Sequence, residues 1–233
     1  KAKPAAAKKA KKTPIGATGN LKPRPATAFP TPMAPMKLAC RGADPRAMKA
    51  FIAAAISGAD VKFVPMAKGA EGHGGSPIAL AVGDDGALVL SEANAVARYL
   101  GAAKALAPAG AARWTAERWC EWEASTLAPA VAVACASNDG APLQAILVGT
   151  LETHLAASGR FIAGGDAPSL ADIVLYSALF PILGEEGAAG IQGVATTGSS
   201  IASWFAKCGS IDAFVKGSET ARASATTAAS LCA

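Results

Sequence analysis

The feature that most constrains the fold is segment 169–183, which is apolar on nearly every face of a helix and opens with Ser169 and Asp172. A serine is favoured at the N-cap, and an acidic residue three positions later can accept a hydrogen bond from the N-cap amide. A helix without a polar face belongs in the centre of a core, where its first amides need partners within the protein. We therefore predict that Ser169 and Asp172 form a structural capping box and that Asp172 has no catalytic role.

Around this helix, the hydrophobic pattern divides the chain into two parts. Up to about residue 104 the order is strand, helix, strand, then strand, strand, helix. The first three elements predict a parallel strand pair, and an Asp-Gly turn at 83–86 predicts a hairpin between the next two strands. After Pro108 every periodic segment is helical. The predicted strands are 36–40, 61–64, 78–82 and 87–90, and the predicted helices are 46–57, 92–100, 113–136, 141–157, 169–183, 199–208 and 210–220.

This order predicts an α/β plus all-α fold, in which a thioredoxin-like βαβ-ββα domain at 36–104 precedes an all-helical domain at 105–220. Residues 1–35 are rich in Lys and Pro and cannot bury enough apolar surface to order themselves, so we predict a disordered arm. Residues 221–233 are predicted to be a tail.

The arm accounts for the positive charge of the chain. Residues 1–30 contain eight basic residues and no acidic one, so the formal net charge of +5 arises there and the remainder is mildly acidic. Such an arm can neutralise phosphates without reading bases, which predicts a tether to tRNA or rRNA, with a solubilising linker as the alternative. The lysines of this predicted RNA-binding segment are Lys1, Lys3, Lys8, Lys9, Lys11 and Lys12.

The cysteines and histidines predict neither disulfides nor a metal site. The five cysteines are an odd number at wide spacing, no CxxC occurs, and the chain has two histidines. Free thiols indicate a reducing, cytoplasmic location. No apolar run approaches the roughly 18 residues that span a bilayer, so no membrane association is predicted.

Several segments resemble a known family. The capping motif at 164–173 is similar to that of the glutathione-transferase helical domain. Residues 119–130 and 161–183 resemble the glutathione-transferase-like domain appended to methionyl-tRNA synthetase, and residues 51–61 also resemble the gamma subunit of translation elongation factor 1. The resemblance implies a non-catalytic domain that assembles with other such domains of the translation machinery.

The resemblance also implies where contacts to such a partner would lie. The candidate surfaces are the helix at 92–100, with Arg98 and Tyr99, and the helices after 199. The alternative is that Arg98 is a solvated side chain and Tyr99 a core residue. Glu117, Glu121 and Glu123 lie on a Trp-rich helix, and we interpret them as its solvated face.

In active glutathione transferases a hydroxyl or thiol follows the first strand, and a Glu/Gln-Ser pair opens the helix after the hairpin. By this resemblance Ala93 occupies the position of that serine, and the loop after Cys40 contains no Tyr or Ser. We therefore predict no catalytic residue and no cofactor. The alternative is an active transferase in which Cys40 is catalytic and Pro77, Ser91 and Glu92 hold glutathione, with Ser91 replacing the missing serine after a one-residue slip.

Overall fold

The computed structural model describes residues 35–40, 44–66, 78–83, 88–104, 106, 108–158, 160–184, 191, 194 and 199–231. The six lysines of the predicted RNA-binding arm and Pro77 lie outside these residues.

A four-stranded mixed sheet forms the first part of the chain. The strand order is β2-β1-β3-β4, in which β1 pairs parallel with β2 while the β1–β3 and β3–β4 pairs are antiparallel. Helix α1 connects β1 to β2, and α2 follows β4. The predicted order of elements is therefore confirmed. The bounds are β1 Met36–Cys40, α1 Pro45–Ser57, β2 Val61–Pro65, β3 Ile78–Val82, β4 Leu88–Ser91 and α2 Ala93–Gly101.

Local sequence explains why α1 starts and stops where it does. The Asp44 side chain accepts a hydrogen bond from the Arg46 amide, and Pro45 occupies the first helical position, where no backbone N–H is needed. Gly58 ends the helix in the left-handed conformation, with φ of 71°. Between these caps the helix is apolar on most of its faces, and residues 47–54 are all buried, with contacts from α1 to α2 and to the second part of the chain.

The second part is helical in all its described elements. Two of the long helices predicted from the sequence each contain a π-helical segment, where the backbone widens by one residue per turn. The bounds are a 3₁₀ turn Ala102–Lys104, α3 Ala111–Trp122, a π segment Glu123–Leu127, α4 Ala128–Ser137, α5 Ala141–Ile146, a π segment Leu147–Glu152, α6 Thr153–Ser158, α7 Leu170–Leu183, α8 Ser200–Gly209 and α9 Asp212–Leu231.

The last helix corrects one expectation. Sequence periodicity predicted a helix that ends at 220 and a tail beyond it, whereas α9 continues to Leu231. The apolar pattern weakens after 220, but the segment is rich in alanine, which has the highest intrinsic helix propensity. None of the helices in the described ranges combines the length and apolar character needed to cross a membrane.

The predicted capping box is present at the start of α7, and the Asp172 carboxylate also accepts hydrogen bonds from residues outside this box. Asp172 is fully buried, and one of its oxygens accepts hydrogen bonds from the Ser169 amide and hydroxyl, both at 2.8 Å. The other oxygen accepts from the Ile162 amide and from the Trp204 indole, both at 2.9 Å. Asp172 therefore joins the loop before α7 and helix α8 to the start of the central helix.

The two parts of the chain pack against each other mainly through α1, the first described helix, and α9, the last one. Helix α9 lies against α1, and α7 also contacts α1. At the α1–α9 crossing, Gly217 approaches the backbone of Ile52 so closely that a Cβ atom there would lie 2.8 Å from the Ile52 Cα. Only glycine permits this separation of the two helix backbones.

Candidate functional site

Strand register brings several predicted site residues to one edge of the sheet. Cys40 at the end of β1 pairs with Ile78, and Ser91 at the end of β4 pairs with Ala79. Helices α1 and α2 are the next described elements after β1 and β4, so both begin near this same edge. The edge therefore combines two helix N-termini, where the aligned backbone dipoles favour a negatively charged group.

Cys40 lies at this edge but is not accessible. Its side chain belongs to the core and is completely buried. Burial raises the pKa of the Cys40 thiol to about 12, and the negative charge of Asp44 contributes to this rise. Because the thiolate is the nucleophile, a buried and protonated Cys40 has neither the charge nor the access that catalysis requires.

The backbone at the β4–α2 junction is strained at Glu92. This residue has φ of 69° and ψ of 119°, outside the regions that side-chain-bearing residues ordinarily occupy. Such conformations cost about 1–3 kcal/mol, and they cluster at ligand-binding and catalytic sites. Glu92 is exposed, whereas the next residue, Ala93, is buried.

Charged groups from α1 and α2 lie near one another at this edge. The Arg46 guanidinium makes a bidentate ion pair with Asp44, with nitrogen–oxygen distances of 2.8–3.1 Å. The hydrogen bonds that Arg46 donates to Asp44 raise the pKa of Arg46, and the negative charges of Asp44 and Glu92 add to this effect while burial opposes it. Among the residues that the structure describes, the Arg46 cation thus lies at this edge beside the carboxylates of Asp44 and Glu92.

Helix α2 begins at Ala93, so its start can be compared with the alternative in which Ser91 opens this helix. Ser91 is the last residue of β4, and Glu92 stands at the N-cap of α2. The one-residue slip that would place Ser91 at the start of the helix is therefore absent. Ser91 nevertheless lies at the same edge as Cys40 and Glu92.

Arg98 and Tyr99, the predicted interaction residues, lie on α2 with different surroundings. The Arg98 guanidinium forms an ion pair with Glu117 of α3, so this side chain links the two parts of the chain. Tyr99 is half-buried and packs against the core. On α3, one turn before Glu117, Trp114 is 70% exposed and lies beneath the Arg113 guanidinium at 5.6 Å.

The sequence interpretation of Glu123 was wrong. Glu123 is the first residue of the π segment after α3 and is 1% exposed, so it is not part of a solvated face. Its carboxylate forms an ion pair of 2.8 Å with Lys49 of α1, which is buried as well. The sequence contained one signal of this contact, because Lys49 lies within a helix whose neighbouring positions 47, 48 and 50–55 are all apolar.

The described residues contain no group of three or more His, Cys, Asp or Glu side chains that could hold a metal ion. His154 is engaged elsewhere, because its Nε2 donates to the Ile162 carbonyl and its ring lies 4.8 Å from that of Trp119.

Comparison with solved structures identifies the fold. The theta-class glutathione S-transferase of the citrus canker pathogen Xanthomonas axonopodis pv. citri, with glutathione bound, is 25% identical, with a TM-score of 0.62 over 79% of this chain and 97% of that one. Its apo form is 26% identical over 82% of this chain and 100% of that one, with the same TM-score. Poplar glutathione transferase F1 is 14% identical, with a TM-score of 0.66 over 81% and 99%.

The chain therefore has the glutathione-transferase fold, with a mixed four-stranded sheet and its helices followed by a helical domain. No protein-family model and no curated protein matches the sequence. The two Xanthomonas structures, at 25% and 26% identity, favour the alternative prediction of a glutathione transferase over the synthetase-appended domain.

Proposed function

We propose that the chain binds glutathione at the sheet edge where α1 and α2 begin, without using Cys40 for chemistry. The observation that carries this proposal is the strained Glu92, an exposed carboxylate held at the N-terminus of α2. A strained residue persists only where the surrounding structure fixes it, and the Xanthomonas transferase with glutathione bound has the same fold.

The groups at this edge match the chemistry of the tripeptide. Glutathione carries an ammonium and a carboxylate at its γ-glutamyl end and a second carboxylate at its glycine. Glu92 suits the ammonium, and the first amides of α2 suit the adjacent carboxylate. Arg46, whose side chain is half exposed, suits the second carboxylate.

Conjugation requires more than binding, because it needs a group that stabilises the glutathione thiolate. Cys40, the thiol at the end of β1, is buried and its pKa is raised, so it does not supply such a group. We infer a site that holds the peptide and supplies little activation of its sulfur.

Replacing Glu92 with Ala is expected to weaken glutathione binding by about tenfold or more, the loss of one charge-assisted hydrogen bond. Isothermal titration calorimetry with reduced glutathione measures this change. Glu121→Ala removes a carboxylate from the exposed face of α3, so its affinity should equal that of the wild type.

Two results would contradict the proposal. The first is equal affinity in wild type and Glu92→Ala, or no binding in either. The second concerns chemistry, since turnover of chlorodinitrobenzene that disappears in Cys40→Ala would show that Cys40 is a catalytic residue after all.

We propose assembly with other glutathione-transferase-like domains as a second function, and the exposure of Trp114 favours it. Tryptophan and arginine are enriched among the residues that dominate binding energy at protein interfaces. Here the Arg113 guanidinium lies over the exposed Trp114 ring. The resemblance to translation proteins suggests the class of partner, and Arg98 and Glu117 lie on the neighbouring surface.

Trp114→Ala is expected to weaken association with the glutathione-transferase-like domain of elongation factor 1 gamma by about 30-fold, the effect of removing one dominant aromatic. Analytical ultracentrifugation of the purified pair measures this change. Val133→Ala on α4, also an exposed apolar residue, serves as the control and should have no effect. A chain that remains monomeric beside that domain would argue against this function.

A further inference from the structure

A polar network is buried between the two parts of the chain, close to the start of α2. The Lys49 ammonium donates to the Asn94 side-chain oxygen at 2.9 Å and pairs with Glu123 at 2.8 Å. The Asn94 side-chain nitrogen donates to Glu123 at 3.0 Å and to the Cys120 carbonyl at 3.2 Å. Three elements meet here, namely α1, α2 and the junction of α3 with its π segment.

Stability alone does not explain this network. Removing two charges from water is expensive, and apolar residues of similar volume often stabilise a core equally well or better. The network instead fixes the orientation of Asn94. The oxygen and the nitrogen of its side-chain amide both form hydrogen bonds, and the side chain can form all of them in one orientation only. Buried polar groups of this kind specify position.

The position that is specified is that of the first turn of α2. Asn94 is the second residue of the helix and lies two residues after the strained Glu92. The Glu92 carbonyl accepts the hydrogen bond of the Val96 amide at 3.0 Å, so Glu92 and Asn94 belong to the same turn. Strain at Glu92 would relax if this turn could shift, and Asn94 is its polar anchor to the helical domain.

We propose that Lys49, Asn94 and Glu123 are positioning residues, which hold the first turn of α2 so that Glu92 and the helix amides face the ligand. This inference rests on the proposed binding of glutathione at that turn. Through Glu123, the helical domain thus helps to fix the geometry of a binding site whose residues belong to the sheet domain.

Asn94→Ala tests the proposal directly, since it releases α2 while the Lys49–Glu123 ion pair is retained. We expect the Val96 and Ala97 amides to exchange hydrogen at least about tenfold faster and glutathione affinity to fall about tenfold, because the turn opens more often. Exchange is followed by NMR and affinity by calorimetry, both on the full chain. Arg98→Ala is the matched control, because it breaks the contact of α2 with α3 at the other end of the helix.

A second variant covers the case in which Asn94→Ala does not fold. Lys49→Met combined with Glu123→Gln removes both buried charges together, which avoids leaving either one unpaired. The double variant should fold, and exchange at Val96 should again be faster than in the wild type while glutathione affinity falls.

The outcomes separate this inference from the proposed function. Unchanged exchange at Val96 in both variants would overturn the positioning role. Faster exchange with unchanged affinity would overturn it too, because the turn would then be held for another reason. Faster exchange in a protein whose wild type does not bind glutathione would instead overturn the proposed function and leave the anchoring of α2 supported.

Discussion

Asp172→Ala is expected to lower the free energy of unfolding by about 3–5 kcal/mol, a loss at the upper end of what single substitutions cause. The carboxylate accepts four hydrogen bonds in a fully buried position. Alanine would leave the Ile162 and Ser169 amides, the Ser169 hydroxyl and the Trp204 indole without this acceptor, and each buried donor costs about 1–3 kcal/mol when unsatisfied.

Urea denaturation of the full chain measures this loss. Asp172→Asn serves as a graded variant, because its oxygen can still accept from one pair of donors while its NH₂ group faces the other pair. Asp166→Ala is the control, since that carboxylate is 87% exposed and its ion pair with Arg160 is worth less than about 1 kcal/mol. A loss of similar size in Asp172→Ala and Asp166→Ala would contradict the central role of this carboxylate.

Gly217→Ala is expected to destabilise the protein by about 2 kcal/mol, although alanine is the better helix former. The added Cβ would lie 2.5 Å from Cγ1 and 2.8 Å from the backbone nitrogen of Ile52, so α9 would have to move away from α1. Backbone atoms cannot give way as a flexible side chain can.

The matched control for this prediction is Gly149→Ala. Gly149 also lies in a helical segment, but no heavy atom lies within 4 Å of a Cβ built there. This substitution should raise the free energy of unfolding by roughly 0.5–1 kcal/mol through propensity alone. The two alanines are thus expected to have opposite signs in the same denaturation experiment, and equal signs would refute the close-packing argument.

The sequence was sufficient to predict most of the fold, because its signals are local. Residues 36–40 and 78–82 form strands with the predicted bounds, and 169–183 forms the central helix behind its capping box. The π segments were not predictable in this way, since hydrophobic periodicity does not distinguish a widened turn from an ordinary one. The continuation of α9 to Leu231 was missed because the prediction relied on apolar periodicity. After 220 the helix has no apolar stripe and is favoured only by the helix propensity of its alanines.

The residues of the candidate site could be named from the sequence, but their geometry could not. Cys40, Ser91 and Glu92 were identified from the sequence, and strand register brings them to one edge. The burial of Cys40 and the strain at Glu92 are properties of the folded chain that residue type and spacing do not specify. Glu123 shows the limit most clearly, because a glutamate on a helix is usually solvated and only its partner, Lys49, contradicts that expectation.

The packing of Gly217 against Ile52 also has a consequence for folding order. The contact joins the first and last helices of the described chain, so the loop it closes includes nearly every other element. Contacts of such long sequence separation form late, because closing the loop costs entropy before any packing compensates it. During synthesis one face of α1 therefore stays uncovered until α9 has emerged from the ribosome, and the sheet domain matures only with the helical one.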